Sequence, residues 1–352
     1  MTMRRSSALT LAATVLVTGA ACGGSTTPGA PDAAGGGAAT QSQATSGYPM
    51  SIENCGATVT LRSEPQRIVS LNQGSTEILL SLGVADRMVG TSTWTDPVLP
   101  TLAAQNDKVT RLAENNPALE VVLAQEPDFV TASFINTLSA GGVGEREAFD
   151  KLGVPTYMSP SECLKSAAGK GDDGARNTPL DLSAITDEVT QLGRLTGVPE
   201  KATQVNAALE QRIQAATARQ AKPGTSVVYW FANSEQPYVA GGHGAPGIIS
   251  RALGLTNVYA DHTQEWPQVG WEDFAAKDPD VIVIGDLTRR SQTAETAAAT
   301  IAFLERNPVT QQMSAVQKKR YIAVAGGDMN PSLRTVDGIE KVSAGLARLG
   351  FE

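Results

Sequence analysis

The sequence predicts an α/β fold of two similar lobes bridged by one long helix, with a ligand cleft between the lobes. Three observations predict it. The segments Glu120-Val-Val-Leu-Ala124-Gln-Glu-Pro127-Asp128-Phe-Val and Glu272-Asp-Phe-Ala-Ala276-Lys-Asp-Pro279-Asp280-Val-Ile place Glu, Ala, Pro and Asp at the same offsets. Each reads as a short helix, a Pro-Asp turn and a buried strand. Between the two copies lies a helical stretch from Asp181 to Gln220, broken once at Gly197-Val198-Pro199. On both sides of it, short apolar strands alternate with helices, the pattern of a mainly parallel sheet.

Composition divides the chain into residues 1–21, a signal peptide; 22–47, a disordered tether; 48–196, an N-terminal α/β lobe; 197–222, the bridging helix; and 223–352, a C-terminal α/β lobe. Arg4-Arg5 followed by the apolar run Ala8–Val17 and Gly19-Ala20-Ala21-Cys22 forms a secretory leader, too short to span a bilayer comfortably. The leader resembles a bacterial lipoprotein signal, with Gly19 where Leu is common. Cleavage before Cys22 leaves that cysteine lipidated and the protein anchored outside the cytoplasmic membrane. Ordinary cleavage after a small residue leaves it secreted. Residues 23–47 are rich in Gly, Ala, Ser, Thr, Gln and Pro and cannot bury enough apolar surface to fold.

In the first lobe, Tyr48 to Leu61 reads as a short strand or hairpin, and Arg67–Leu71 as a strand. Gln73 opens a helix with Ser75 or Thr76 as cap. Met88–Thr91, Asp128–Thr131 and Val154–Met158 follow as strands, with a helix over Glu145–Leu152. Ser159 to Pro179 is polar and Gly-rich and reads as a surface loop carrying Cys163. The central stretch opens at Asp181, where an N-cap belongs. Leu182, Ile185, Val189, Leu192 and Leu195 recur at helical spacing as far as Gly197, a C′ glycine. Pro199 starts the second helix, whose stripe is Ala202, Val205, Leu209, Ile213 and Ala216. The second lobe repeats the grammar, with strands at Ser226–Phe231, Asn257–Ala260, Asp280–Gly285 and Tyr321–Ala325. Its helices run over Gly247–Leu253, Ala294–Glu305 and Val336–Leu349.

The net charge is −8, and without the two leader arginines 26 basic residues face 36 acidic ones. That balance disfavours a nucleic-acid partner held through phosphates. With Cys22 set aside, Cys55 and Cys163 are either a disulfide, the natural state outside the cytoplasm, or two buried thiols. Only His243 and His262 are present, so direct metal coordination by a histidine cluster is disfavoured.

The phrase Arg67-Ile-Val-Ser-Leu-Asn-Gln-Gly-Ser-Thr-Glu77-Ile-Leu-Leu-Ser-Leu-Gly83 resembles the opening of mature iron–siderophore and vitamin B12 substrate-binding proteins of ABC importers. The two Glu…Pro-Asp units, Leu192-Gly-Arg-Leu-Thr-Gly197 and Gly254-Leu-Thr-Asn257 resemble that family in the same order, from about Cys55 to the C-terminus. The resemblance implies two rigid lobes on one long helix with a shallow cleft and little hinge motion. It also implies that one exposed acid per lobe, here Glu120 and Glu272, docks against arginines of the membrane permease. Two carboxylates far apart can orient a protein on a two-fold partner by charge complementarity. Read from the residues alone, both are helix N-terminal acids that favour the dipole.

Ligands of open α/β sheets collect beyond the carboxyl ends of the strands. The candidates there are Trp94, Phe134, Trp230, Tyr238, Trp266 and Arg289. Each has a plainer alternative. Trp94 can pack under its loop. Alternation sends one of Trp230 and Phe231 to the core and the other to the cleft. Tyr238 and Trp271 can be core, and Arg289-Arg290 and Arg146 can be solvated.

The expected function is an extracytoplasmic, monomeric receptor that captures a ferric siderophore and hands it to an ABC permease. The iron would arrive inside its chelate, so no cofactor or protein-bound metal is expected. Cobalamin or haem is the alternative ligand, with His243 or a Tyr as an axial residue for haem. A secreted α/β enzyme is the third reading. Gly-x-Ser-x-Gly, Walker and His-Glu-x-x-His motifs are absent from the sequence, and Gly241-Gly-His-Gly-Ala-Pro-Gly lacks the Lys-Ser/Thr of a phosphate loop.

Overall fold

An antiparallel hairpin opens the folded part of the chain. Strands β1 (Met50–Asn54) and β2 (Ala57–Leu61) alternate burial along their length, so one face is apolar and the other wet. Their two-residue turn, Cys55-Gly56, has positive φ at both positions, the turn that matches strand twist. The computed structural model describes residues 47–166, 174–287 and 295–352. The leader, the tether, Cys22, Arg289 and Arg290 lie outside the described residues, which all belong to one unit, Thr45–Glu352.

The first lobe holds a parallel sheet of β3 (Ile68–Ser70), β4 (Met88–Ser92), β5 (Arg111–Ala113), β6 (Phe129–Ala132) and β7 (Thr156–Met158) in the order β5-β4-β3-β6-β7. Every residue of β3, β6 and β7 is buried, because helices cover both faces. The chain leaves β3 toward β4 on one side and returns to β6 on the other, which places the topological switch point between β3 and β6. Two short strands follow, β8 (Lys165–Ser166) and β9 (Ala175–Arg176). The second sheet joins β10 (Ser226–Ala232), β11 (Tyr238–Val239), β12 (Thr256–Asn257), β13 (Val281–Asp286) and β14 (Tyr321–Ala325). Its order is β11-β10-β13-β14, with β12 also beside β10 and the switch between β10 and β13.

The repeated Pro-Asp unit does the same work in both lobes. Asp128 accepts bonds from the backbone N–H of Gln66 and Arg67, at 2.7 and 2.9 Å, just before β3. Asp280 accepts from the N–H and Oγ–H of Ser226, both at 2.9 Å, at the start of β10. Each carboxylate therefore fixes the edge from which the lobe's central strand departs. The residue before each proline, Glu126 or Asp278, has positive φ (46° and 33°). Proline disfavours the right-handed helical region for its predecessor, so both helices stop there.

The helix Ser183–Leu195 ends at Gly197 with φ 72°. Asp181 accepts from the Ser183 N–H at 2.8 Å, the first-turn bond its position predicts. The bridging helix is Pro199–Thr217, about 28 Å long at ~1.5 Å per residue. Ala202, Val205 and Leu209 pack into the core under the first sheet, whereas Ile213 and Ala216 also reach the core under the second. One amphipathic stripe thus joins two cores.

Two expectations need correction. Ser75 and Thr76 lie inside the helix Gln73–Ser81, whose cap position is Asn72; the Thr76 hydroxyl bonds back to the Asn72 carbonyl at 2.8 Å. The stretch from Ser159 to Pro179 is not merely a surface loop. Ser159, Ser161, Glu162 and Arg176 are buried, and Ala175 forms an antiparallel bridge with Gln264 of the second lobe. Its polar residues find partners within the stretch and on Glu188 and Glu265 outside it, which composition cannot reveal. Cys163, at the end of the short helix Pro160–Cys163, forms a disulfide with Cys55 in the hairpin turn. Among the described residues no helix is long and apolar enough to cross a membrane.

Candidate ligand cleft

The first lobe's switch point meets the turn that follows β14 in the second. Gln73 and Gly74 start the helix after β3, and Ser133-Phe134 follow β6. Opposite them stand Gly327, Asn330 and Arg334, on the turn after β14 and the start of the helix Arg334–Leu349. The space they line is about 370 Å³ including the part open to solvent, and only about 20 Å³ of it has room for the centre of a water molecule. A larger hollow lies elsewhere, beside β2 and the loop before β7 in the first lobe. It draws on one lobe only, far in topology from the strand ends that ligands favour.

The floor of the cleft is a buried polar seam between lobes. Arg334 grips Glu77 with two charge-assisted bonds, Nε to Oε2 at 2.7 Å and Nη2 to Oε1 at 2.6 Å. The same Nη2 reaches the Pro97 carbonyl at 2.6 Å. Burial alone would lower the Arg334 guanidinium; the Glu77 carboxylate outweighs it and holds the group above its ordinary value. Asp96 accepts from the Gly327 N–H at 2.6 Å, and Gln73 Oε1 accepts from the N–H groups of Thr95 and Asp96. A Cβ on Gly327 would stand 2.9 Å from both Arg334 Cδ and Asp96 Oδ2. A glycine is what lets the lobes approach here.

The predicted site residues separate into three groups. Phe134 lines the cleft and is half-buried. Trp266 is 9% exposed and belongs to the second lobe's core, its ring 4.7 Å from that of Phe231, and is not among the residues lining this space. Phe231 is half-buried and within reach of the Gly326 position, where Thr95 of the first lobe also arrives. Trp230 is withdrawn from the cleft: it is 1% exposed and packs edge-on against Trp271 and Phe274, on the other face of β10. Strand alternation divides the pair, and Phe231 takes the cleft side. Trp94 is also corrected. It is buried, with the Arg111 guanidinium 4.6 Å over its ring, and the adjacent Thr93 and Thr95 line the pocket instead. Tyr238, half-buried, sits opposite Ala232 on β11 and packs on the second core. Arg146 is not solvated: it bonds Asn54 and Thr156, binding the hairpin to β7.

Glu120 and Glu272 are both exposed in the first turn of their helices, Leu119–Leu123 and Trp271–Lys277, and neither enters an ion pair among the described residues. Val121, beside Glu120, is one of the exposed large apolar residues. Gln73, Glu77 and Arg334 were not read from the sequence as cleft residues. Glu77 and Arg334 are 257 positions apart, and no spacing rule joins them. The one available sign was a charged residue, Glu77, directly before the apolar run Ile78-Leu79-Leu80.

Two α/β lobes on one helix, meeting at a cleft floored by both, define an extracytoplasmic solute-binding protein of the ABC-importer type rather than an enzyme. The chain belongs to the periplasmic binding protein family, whose model matches residues 68–325. It is similar to a cobalamin-binding protein of Halobacterium salinarum, 27% identical over 81% of this chain and 70% of the relative. A periplasmic binding protein from Veillonella parvula matches with TM-score 0.72 and 25% identity, covering 84% of this chain and 97% of the other. An ABC-type Fe3+-hydroxamate transport protein from Saccharomonospora viridis shares the fold with TM-score 0.67 and 23% identity, over 85% and 99% of the two chains.

Proposed function

We propose that the protein captures a ferric siderophore in the inter-lobe cleft and delivers it to an ABC permease. The observation that carries this reading is the cleft itself, where Gln73, Ser133 and Phe134 of the first lobe stand opposite Gly327, Asn330 and Arg334 of the second. A chelate brings its own iron donors, so an aromatic contact and a few hydrogen-bonding groups suffice to hold it. Arg289, outside the described residues, is a further contact in this reading. Glu120 and Glu272 serve as the docking acids, exposed at equivalent places in the two lobes. Cys22 carries the lipid that keeps the receptor at the membrane. The relative named for cobalamin favours one alternative ligand, a corrinoid in the same cleft; haem is a third.

Tryptophan fluorescence of the chain from about residue 46 tests the reading. Ferric hydroxamates, ferric catecholates, cobalamin and haemin are titrated side by side, with Trp266→Phe as control. Saturable quenching by one ferric class, reduced in the control, is the expected result. A response to cobalamin or haemin alone replaces the ligand, and no response to any overturns the proposal.

A further inference from the structure

We infer that four buried charges, Glu162, Lys165, Arg176 and Glu265, form a clamp that fixes the cleft segment bearing Phe134 against the second-lobe segment bearing Trp266 and so act as positioning residues for the ligand. The inference rests on the cleft reading above. Arg176 Nη2 lies 2.8 Å from Glu162 Oε1 and 3.2 Å from Glu265 Oε2. Lys165 Nζ lies 2.8 Å from Glu265 Oε2 and 3.6 Å from Glu162 Oε1. No side chain of the four is more than 7% exposed. Two cations and two anions make the set neutral, with each charge facing two of the opposite sign.

The placement ties this set to both segments. Glu162 belongs to the first lobe, and its Oε2 accepts the backbone N–H of Ile135 at 3.0 Å, the residue next to Phe134. Glu265 belongs to the second lobe and is next to Trp266. Lys165 and Arg176 stand on the antiparallel pair β8 and β9 that crosses between them. Backbone bonds complete the crossing: Arg176 N–H to Thr263 at 2.8 Å and Glu265 N–H to Gly174 at 3.1 Å. The disulfide at Cys163, next to Glu162, anchors the near end. A well-packed apolar contact would hold such a strap at least as firmly, since desolvating four charges is costly. What paired charges with directional bonds add is a defined geometry, and the geometry they define is that of the segments bearing Phe134 and Trp266.

The test compares the full mature chain with Arg176→Lys, which keeps the charge and loses the fork, with Lys165→Met, and with Leu209→Ala, a destabilised control in the bridging helix. Hydrogen exchange is followed on the ligand-free proteins, and release of a ferric hydroxamate by stopped flow. Both clamp variants should exchange about tenfold faster at residues 133–138 and 263–269 than wild type and release the chelate about tenfold faster, the usual place for affinity changes. Leu209→Ala should change neither quantity locally while lowering global stability. Exchange of both segments at the wild-type rate in both clamp variants overturns the inference, as does their loosening without faster release. If wild type binds none of the probes, the ligand reading fails, and the exchange result by itself decides whether the clamp orders the two segments.

Discussion

Replacing Glu188 by Gln should abolish a pH-dependent loss of stability. Glu188 is on the helix Ser183–Leu195, 2% exposed, with the Ser159 hydroxyl donating to its Oε2 at 2.6 Å and no partner for Oε1 among the described residues. Burial is the main cause that pushes its carboxyl up to about 8; the Ser159 bond works against this, and the nearby Glu162 charge adds to it. The folded protein therefore keeps this proton until about pH 8, whereas the unfolded chain loses it near its ordinary value of 4.5. Below the lower value both states are protonated, and the group contributes no pH dependence. Between the two, folding must hold a proton that the unfolded chain has released, so stability falls as pH rises and levels off above about 8. At about 1.36 kcal/mol per unit the full loss is ~5 kcal/mol. A glutamine has nothing to ionise. It also leaves a buried amide N–H short of a partner, costing about 1–3 kcal/mol, but equally at every pH. Urea melts of both proteins at pH 5, 6, 7 and 8 give the difference free of other titrating groups. The variant should gain on wild type steadily from pH 5 to 8. A difference that stays flat over that range refutes the reasoning.

Other outcomes follow from the same geometry. Glu77→Ala strands the buried Arg334 and should cost about 3–5 kcal/mol in a urea melt. Arg212→Ala, which breaks the half-exposed pairs with Asp337 and Glu340, should cost about 1 kcal/mol or less. Removing both Cys55 and Cys163 opens a loop spanning 108 positions and should lower stability by about 2–5 kcal/mol, measured against wild type in the absence of reductant. The double variant Glu120→Arg/Glu272→Arg should bind ligand as wild type does and yet reduce permease-dependent uptake about tenfold, because the proposed docking relies on charge complementarity.

The two-lobed fold was legible because its causes are local. The Pro-Asp units repeat since each lobe needs a carboxylate at the start of its central strand, and Asp128 and Asp280 supply it. The bridging helix announced itself by a stripe from Ala202 to Ala216 between a proline and a Pro-Gly pair. The cleft was less legible because its partners come from distant segments. Alternation divided Trp230 from Phe231 correctly but could not say which faced the helices Trp271–Lys277 and Ala297–Arg306. Trp94 stood in a polar loop, and nothing local showed that Arg111 would cover its ring. The strap was the largest miss. Ser159 to Pro179 read as a polar surface loop, whereas its charges Glu162, Lys165 and Arg176 are buried where Glu265 meets them across the lobes.

The central claim is that ligand sits between the lobes at the cleft floor. Isothermal titration with the chelate that responds in the fluorescence panel tests it most directly, using wild type, Phe134→Ala and Trp230→Phe. The account predicts one site in wild type, an affinity lowered about tenfold, or roughly 1.4 kcal/mol, in Phe134→Ala, and little change in Trp230→Phe, whose ring belongs to the core. Unchanged affinity in a folded Phe134→Ala protein would contradict it.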